Sequence, residues 1–271
     1  AGLPLFKELN NMKTSTKTLI WIAAVSAAVV GGLFVAFNYD SISATIAAKR
    51  EMAKIRKQLS QIQADTTTID CIHNIILMDQ SGSMESLKET AVDGAQEAIN
   101  SIRIAQDTIK NVGQNLTLAF FDGARELRLK YIVDNQPIGD AKADLGQYSP
   151  DGNTPLHDAI GTVIMNHLPK VGLHDYVMMT IITDGLENAS QKYHAPDIKD
   201  MVDSLSAKNW TFTYIGANQD AILEGGRMGI SDSYNYDNTH SGYREMIGAE
   251  NYRRNTRISR ISKERGRKDG N

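Results

Sequence analysis

The stretch LMDQSGSM at 77–84 closes an apolar run on a carboxylate, Asp79, and then places two hydroxyls, Ser81 and Ser83, on either side of Gly82. A carboxylate with hydroxyls two and four residues further on, carried by a turn that leads into a helix, is an all-oxygen donor set. Such a set suits a hard divalent cation such as Mg²⁺, whereas zinc would favour Cys or His. Gly82 lets the backbone turn tightly enough to aim both hydroxyls inward. The same residue types also build ordinary turns and caps, with Ser83 as the N-cap of the next helix, so this stretch alone leaves both readings open. Two later stretches weigh on the choice. PDGNTPLHDAI at 150–160 presents Thr154 on a Gly-containing loop before a Pro-started helix, and IITDG at 181–185 ends a second apolar run on Asp184.

Positioning these residues requires strands that end together. Ile72 to Met78 reads as a buried strand and Met84 to Lys110 as a helix, with apolar positions at Leu87, Ala91, Ala95, Ala98, Ile102 and Ile109. LTLAFF at 116–121 and ELRLKYIV at 126–133 bracket an Asp122-Gly123 turn, which predicts a hairpin with an edge strand. Helices are expected over Pro155–Leu168, Pro196–Ala207 and Gln219–Met228, and strands over 176–183 and 211–216. This alternation predicts a doubly wound α/β fold: a mostly parallel sheet with one antiparallel edge strand and helices on both faces. In such a sheet ligands sit beyond the carboxyl ends of the strands where strand order reverses, and Asp79, Thr154 and Asp184 all fall at that end.

With these residues in place, the segment from Asp70 to Tyr236 resembles the von Willebrand factor A (VWA) family. That family's metal ion-dependent adhesion site (MIDAS) combines an Asp-x-Ser-x-Ser sequence, a Thr from a later loop and an Asp after a later strand. The matching positions here are Asp79, Ser81, Ser83, Thr154 and Asp184, with no departure from the pattern. The resemblance implies that the three hydroxyls contact a Mg²⁺ or Mn²⁺ ion directly or through water, and that the two carboxylates supply charge. It also implies that an acidic side chain of a partner protein completes the coordination. YIGANQDA at 214–221 puts Asn218, Gln219 and Asp220 on the same rim, either as residues that tune partner choice or as a turn before a helix.

The termini carry different signals. Residues 1–18 precede an uncharged run, Leu19 to Phe37, whose nineteen residues would span about 28 Å as a helix, close to the thickness of a bilayer's hydrocarbon core. This reads as a single transmembrane helix; a cleaved signal peptide and a buried core helix are the alternatives, and the run exceeds the usual apolar h-region of a signal peptide. Lys13 and Lys17 before the span favour a domain outside the cytoplasm, against Lys49, Arg50, Lys54, Arg56 and Lys57 beyond it. Residues 38–64 read as a helical stalk with an apolar stripe at Met52, Ile55, Leu59 and Ile62, residues 65–237 as the α/β domain, and 238–271 as a C-terminal helix and basic tail. From Asn251 onward eight basic residues face two acidic ones, a net charge of +6, which reads as a solvated terminus with contact to an anionic surface as the alternative.

Composition narrows the function classes. A net charge of −3 argues against a nucleic-acid binder overall, and the single cysteine, Cys71, excludes an intrachain disulfide. The leading expectation is a membrane-anchored module for metal-dependent protein–protein interaction, with no small-molecule substrate. A Mg²⁺-dependent phosphoryl-transfer enzyme would need a second carboxylate as acid/base beside Asp79, and Gln80 and Ser81 supply none. His157, His167, His174 and His194 form no triad or metal spacing, so the chain is expected not to be an enzyme. A structural subunit of an envelope assembly that does not use a metal is the remaining alternative.

Overall fold

A computed structural model of the chain describes residues 69–109, 112–184, 186–217, 221–236 and 239–266, together with residues 50 and 53. The expected transmembrane helix (19–37), the stalk (38–64) apart from those two residues, and the rim residues Asn218, Gln219 and Asp220 lie outside the described residues. Among the described residues no helix is long and apolar enough to cross a membrane.

CIHNIILMD at Cys71–Asp79 forms β1, and every residue after the first is buried. A strand with both faces covered needs no polar alternation, which is why it reads as mostly apolar; the buried His73 and Asn74 are hydrogen-bonded. Ile76 and Met78 pack with Ala91, Ala95, Ile99 and Ile102 of α1 (Lys88–Thr108) and with Met246 and Ile247 of α5 (His240–Gly266). Ile75 and Leu77 point the other way, toward Ala159, Ile160 and Val163 of α2 (Leu156–His167) and Ile198, Met201 and Leu205 of α3 (Ala195–Ser206). The sheet is therefore the middle of three layers. Burying each aliphatic side chain contributes about 1.5–3 kcal/mol, so packing on the sheet outweighs the small intrinsic helix propensities.

The remaining strands are β2 (Gly113–Gly123), β3 (Leu127–Pro137), β4 (Tyr176–Thr183), β5 (Trp210–Ala217) and β6 (Asp232–Tyr236), in the order β3-β2-β1-β4-β5-β6. All neighbours are parallel except β2 and β3, which confirms the mostly parallel sheet with one antiparallel edge strand. Chain order runs outward from β1 to β2 and β3, then returns to the other side of β1 with β4. The crevice between the carboxyl ends of β1 and β4 is thus the point where strand order reverses.

Three local expectations are corrected. Asp122 and Gly123 are the last residues of β2, paired with Arg128 and Leu127, so the hairpin turn is at residues 124–126. Gly123 also forms a bridge to Asn153, which keeps it in the strand. A sixth strand, β6, was not expected at all. It follows α4 (Ala221–Arg227), pairs only with β5 and lacks the apolar run of the inner strands.

The third correction concerns the basic C-terminal segment, which is not a solvated terminus through its first turns. It is helical to Gly266 and packs on the sheet and α1: Ile258 is buried with Ile72, Ala105 and Met178. Arg254 is 1% exposed and donates to the Thr180 hydroxyl at 2.7 Å. Arg257 pairs with Asp232 at 2.9 Å, and Arg253 lies over the Tyr234 ring at 4.0 Å. Long cationic side chains hide their stems against apolar surface, so a high charge count does not exclude packing.

Candidate functional site

Three chain segments meet at the β1/β4 crevice, and each is bonded to the others. The first begins at Asp79, which ends β1 fully buried. One carboxylate oxygen accepts the Ser81 N–H at 2.7 Å, and the other accepts the Thr183 hydroxyl at 2.6 Å. Burial pushes the Asp79 carboxyl up to about 6 despite those hydrogen bonds. The Ser83 hydroxyl donates to Asp184 at 2.7 Å, and the Ser81 and Ser83 hydroxyls are 3.1 Å apart. The Ser81 hydroxyl also lies within hydrogen-bonding reach of the Asp79 carboxylate. The contacts Ser81–Ser83 and Ser83–Asp184 together close the crevice. Burial also raises the Asp184 carboxyl, against the hydrogen bond from Ser83.

The second segment is the loop carrying Thr154. Its approach is fixed by backbone bonds: Asp151 N–H to Gln80 C=O at 2.7 Å, Gly82 N–H to Gly152 C=O at 3.0 Å, and a reciprocal pair between Gly123 and Asn153 at 3.0 and 2.7 Å. Tyr148 adds a hydroxyl bond of 2.5 Å to the Asp79 carbonyl. Gly152 has φ +78°, and a Cβ there would lie 2.4 Å from the Gly123 oxygen, so only glycine fits. Thr154 follows, buried, and its backbone exchanges bonds with Asn188: Thr154 N–H to Asn188 Oδ1 at 2.9 Å and Asn188 N–H to the Thr154 carbonyl at 3.2 Å.

The third segment, beyond Asp184, is held by the start of α2. The Asp158 carboxylate accepts the backbone N–H groups of Gln191, Lys192 and Tyr193 at 2.8, 2.9 and 2.7 Å. Glu187 accepts the His157 N–H at 2.9 Å and the Ser190 hydroxyl at 2.7 Å. Burial alone would raise the Glu187 carboxyl, but the bonds from Ser190 and from the His157 N–H outweigh it and hold it below its usual range. An anionic side chain at a helix N-terminus satisfies otherwise unbonded N–H groups and suits the helix dipole.

Asp79, Ser81, Ser83 and Asp184 are thus brought together, and Thr154 stands on the adjoining loop. The donor set is two carboxylates and three hydroxyls, all oxygen, which fits a hard divalent cation. Among the described residues no three His, Cys, Asp or Glu side chains gather as a metal group, so a soft-metal site has no candidate there. Two crowded carboxyls whose proton affinities are both raised are a place where added positive charge is favourable. The residues sequence reasoning missed are supporting ones: Thr183, Tyr148, Asp158 and Glu187. Thr183 had a signal, a hydroxyl directly before Asp184 at the end of a buried strand; the other three had none at sequence level.

The histidines have structural surroundings. His157 lies 3.5 Å from Glu187 at the start of α2, and burial lowers its pKa. His194 caps α3, its N–H donating to Asp197 at 2.9 Å. His167 faces His73 at 3.4 Å, and His73 also contacts Asn135 and Asp175 at 2.7 and 3.0 Å.

No protein-family profile matches this chain, and no curated protein does. Solved structures do. The pilus adhesin SpaC from Lactobacillus rhamnosus GG aligns over 72% of this chain and 30% of its own, at 15% identity and TM-score 0.51. Proximal thread matrix protein 1 from the mussel byssus aligns over 66% of this chain and 47% of its own, at 17% identity and TM-score 0.50. A von Willebrand factor type A structure from Catenulispora acidiphila aligns over 73% of this chain and 43% of its own, at 16% identity and TM-score 0.44. The chain spans less than half the length of each of these structures. What it shares with the first two is the α/β fold.

Proposed function

We propose that this chain is a metal-dependent protein-binding module of the von Willebrand factor A type. Asp79, Ser81, Ser83, Thr154 and Asp184 would hold Mg²⁺ or Mn²⁺, and the ion would offer a coordination position to an acidic side chain of another protein. The observation that carries this reading is the Ser81–Ser83–Asp184 series of contacts beside the buried Asp79. It gathers a hard-cation donor set at the point of the sheet where strand order reverses. Folding needs no such set: a buried carboxylate raised toward 6 is a cost in the metal-free protein. The pilus adhesin shares this fold, which fits an interaction role. The reading includes no enzymatic step: Asp184, the second carboxylate beside Asp79, accepts from Ser83 and belongs to the same cation donor set. It places the domain outside the cytoplasm on an anchor formed by residues 19–37, and the support for that anchor is the length and lack of charge of the segment.

The test is calorimetric titration of Mg²⁺ and of Mn²⁺ into the 271-residue chain in detergent, beside its Asp79→Asn variant, with folding checked by circular dichroism. Saturable binding by the parent and none by the folded variant is the expected result. Equal heats in both, or none in either, would return the chain to the class of structural subunits.

A further inference from the structure

Gln80 stands between Asp79 and Ser81, and both its backbone and its side chain are bonded outside its own loop. Its N–H donates to the Phe121 carbonyl at 2.8 Å, and its carbonyl accepts the Asp151 N–H at 2.7 Å. Its side-chain amide donates to Asp122 Oδ2 at 2.7 Å. One residue thus ties the end of β1 to the end of β2 on one side and to the Thr154 loop on the other.

Arg128 of β3 completes a circuit. Its Nε donates to Asp122 Oδ1, and its Nη2 donates to Asp151 Oδ2 at 3.1 Å. The four residues form a ring: Gln80 to Asp122, Asp122 to Arg128, Arg128 to Asp151, and Asp151 back to the Gln80 carbonyl. The guanidinium also lies along the Gly152 turn, where a Cβ would come within 3.1 Å of Nη2. Asp122 is buried, and a carboxylate taken out of water is costly unless it is paired, so it holds both Gln80 and Arg128 firmly. Pairing of β2 with β3 needs none of these side chains, because the backbone ladder supplies it. What the ring adds is a fixed spacing between the loop with Ser81 and Ser83 and the loop with Thr154.

We infer that Gln80 and Arg128 are positioning residues of the cation site: acting through Asp122 and Asp151, they latch the Thr154 loop to the loop that carries Ser81 and Ser83. This deepens the metal-binding reading, and the affinity change it predicts rests on that reading. The sign of the effect separates a latch from a mere charge. Arg128 brings positive charge toward a cation site, so by Coulomb repulsion alone its removal would tighten cation binding. A latch predicts that removal weakens it.

The experiment titrates Mg²⁺ by calorimetry into the full chain in detergent and into Arg128→Gln, Arg128→Lys and Gln80→Met, and follows amide hydrogen exchange of each in EDTA. Arg128→Gln and Gln80→Met should each weaken Mg²⁺ binding about tenfold, the low end of what supporting bonds around a metal contribute. Arg128→Lys keeps the charge without the planar fork, so it should fall between parent and Arg128→Gln. The double variant should lose less than the product of the single losses, because both residues act through Asp122. In EDTA the Asp151 and Gly82 amides, which bond across the two loops, should exchange about threefold faster or more in Arg128→Gln. Tighter or unchanged Mg²⁺ binding in Arg128→Gln, or Arg128→Lys equal to the parent with unchanged exchange, would overturn the inference. A parent chain that binds no Mg²⁺ would remove the metal reading instead, and the exchange rates, measured without metal, would still decide whether the latch exists.

Discussion

Ser83 and Asp184, 101 positions apart in sequence, are joined by a hydroxyl-to-carboxylate hydrogen bond of 2.7 Å across the crevice between β1 and β4. Next to it the other carboxylate, Asp79, accepts from Thr183 and Ser81 yet remains harder to ionise than a free carboxyl. The two acids therefore make opposing demands on the metal-free protein: they gather the hydroxyls, and their own ionisation is penalised.

That penalty has a measurable sign. The Asp79 carboxyl titrates near 6 when folded and near 3.8 when unfolded. Between these values the folded state binds the extra proton, so its contribution is complete below about pH 4 and is lost as pH rises through 6, on the order of 3 kcal/mol. In EDTA, Asp79→Asn should raise the urea midpoint at pH 7 and leave it nearly unchanged at pH 4. A destabilised Asn variant at pH 7 would show that the charge is not the cost.

His167 predicts the reverse slope. Burial, with His73 and Lys170 nearby and Asp134 opposing them, lowers its pKa to about 3 from 6.5. Here the unfolded state takes up the proton first, so stability is lost as pH falls from about 6.5 toward 3, by up to roughly 4 kcal/mol. Carboxylates also titrate in this window, so the comparison is with His167→Asn. Its stability curve should be flatter than the parent's between pH 6.5 and 4, as read from chemical denaturation at each pH.

Gly152→Ala tests the loop that carries Thr154. The backbone there is left-handed and the new methyl would meet the Gly123 carbonyl. A loss of about 2 kcal/mol or more is expected, together with weaker Mg²⁺ binding, because the Gly123–Asn153 bridge must open. An unchanged denaturation midpoint would mean that the loop has another arrangement available.

Arg254 predicts non-additivity. It is buried with Nε and Nη1 lacking hydrogen-bond partners, and Glu250 is 3.9 Å away with its carboxyl raised chiefly by burial. Removing the arginine alone, as Arg254→Ala, should cost roughly 3–5 kcal/mol by leaving a cavity and a buried acid. Arg254→Met with Glu250→Gln should lie within about 1 kcal/mol of the parent. Equal losses in the two variants would indicate that the ion pair is net stabilising.

Asp79 and Asp184 were legible in the sequence because the strands before them are buried on both faces and end in largely apolar runs, IILM before Asp79 and VMMTIIT before Asp184. The end of such a run is visible without knowing its neighbours. Thr154 was legible through its loop and the resemblance it completed. β6 was not, since SYNY has no apolar run and gains its place from Gly225 and the β5 edge. The hairpin turn was misplaced because Asp122-Gly123 has turn chemistry, while the pairing of Asp122 with Arg128 and of Gly123 with Asn153 decides otherwise. The burial of Arg254 could not be read from composition, because a charged helix conceals which of its faces meets the sheet.

The three N–H groups gathered by Asp158 have a kinetic meaning. They tie residues 191–193 to α2, and Glu187, itself bonded to the His157 N–H, holds residues 189 and 190, so residues 187–193 are fixed before any ion arrives. Capture of a cation would then wait on the shedding of water from the ion rather than on chain rearrangement. The rate of loading would report the ion's own exchange chemistry, fast for Mn²⁺ and slow for the more tightly hydrated Mg²⁺.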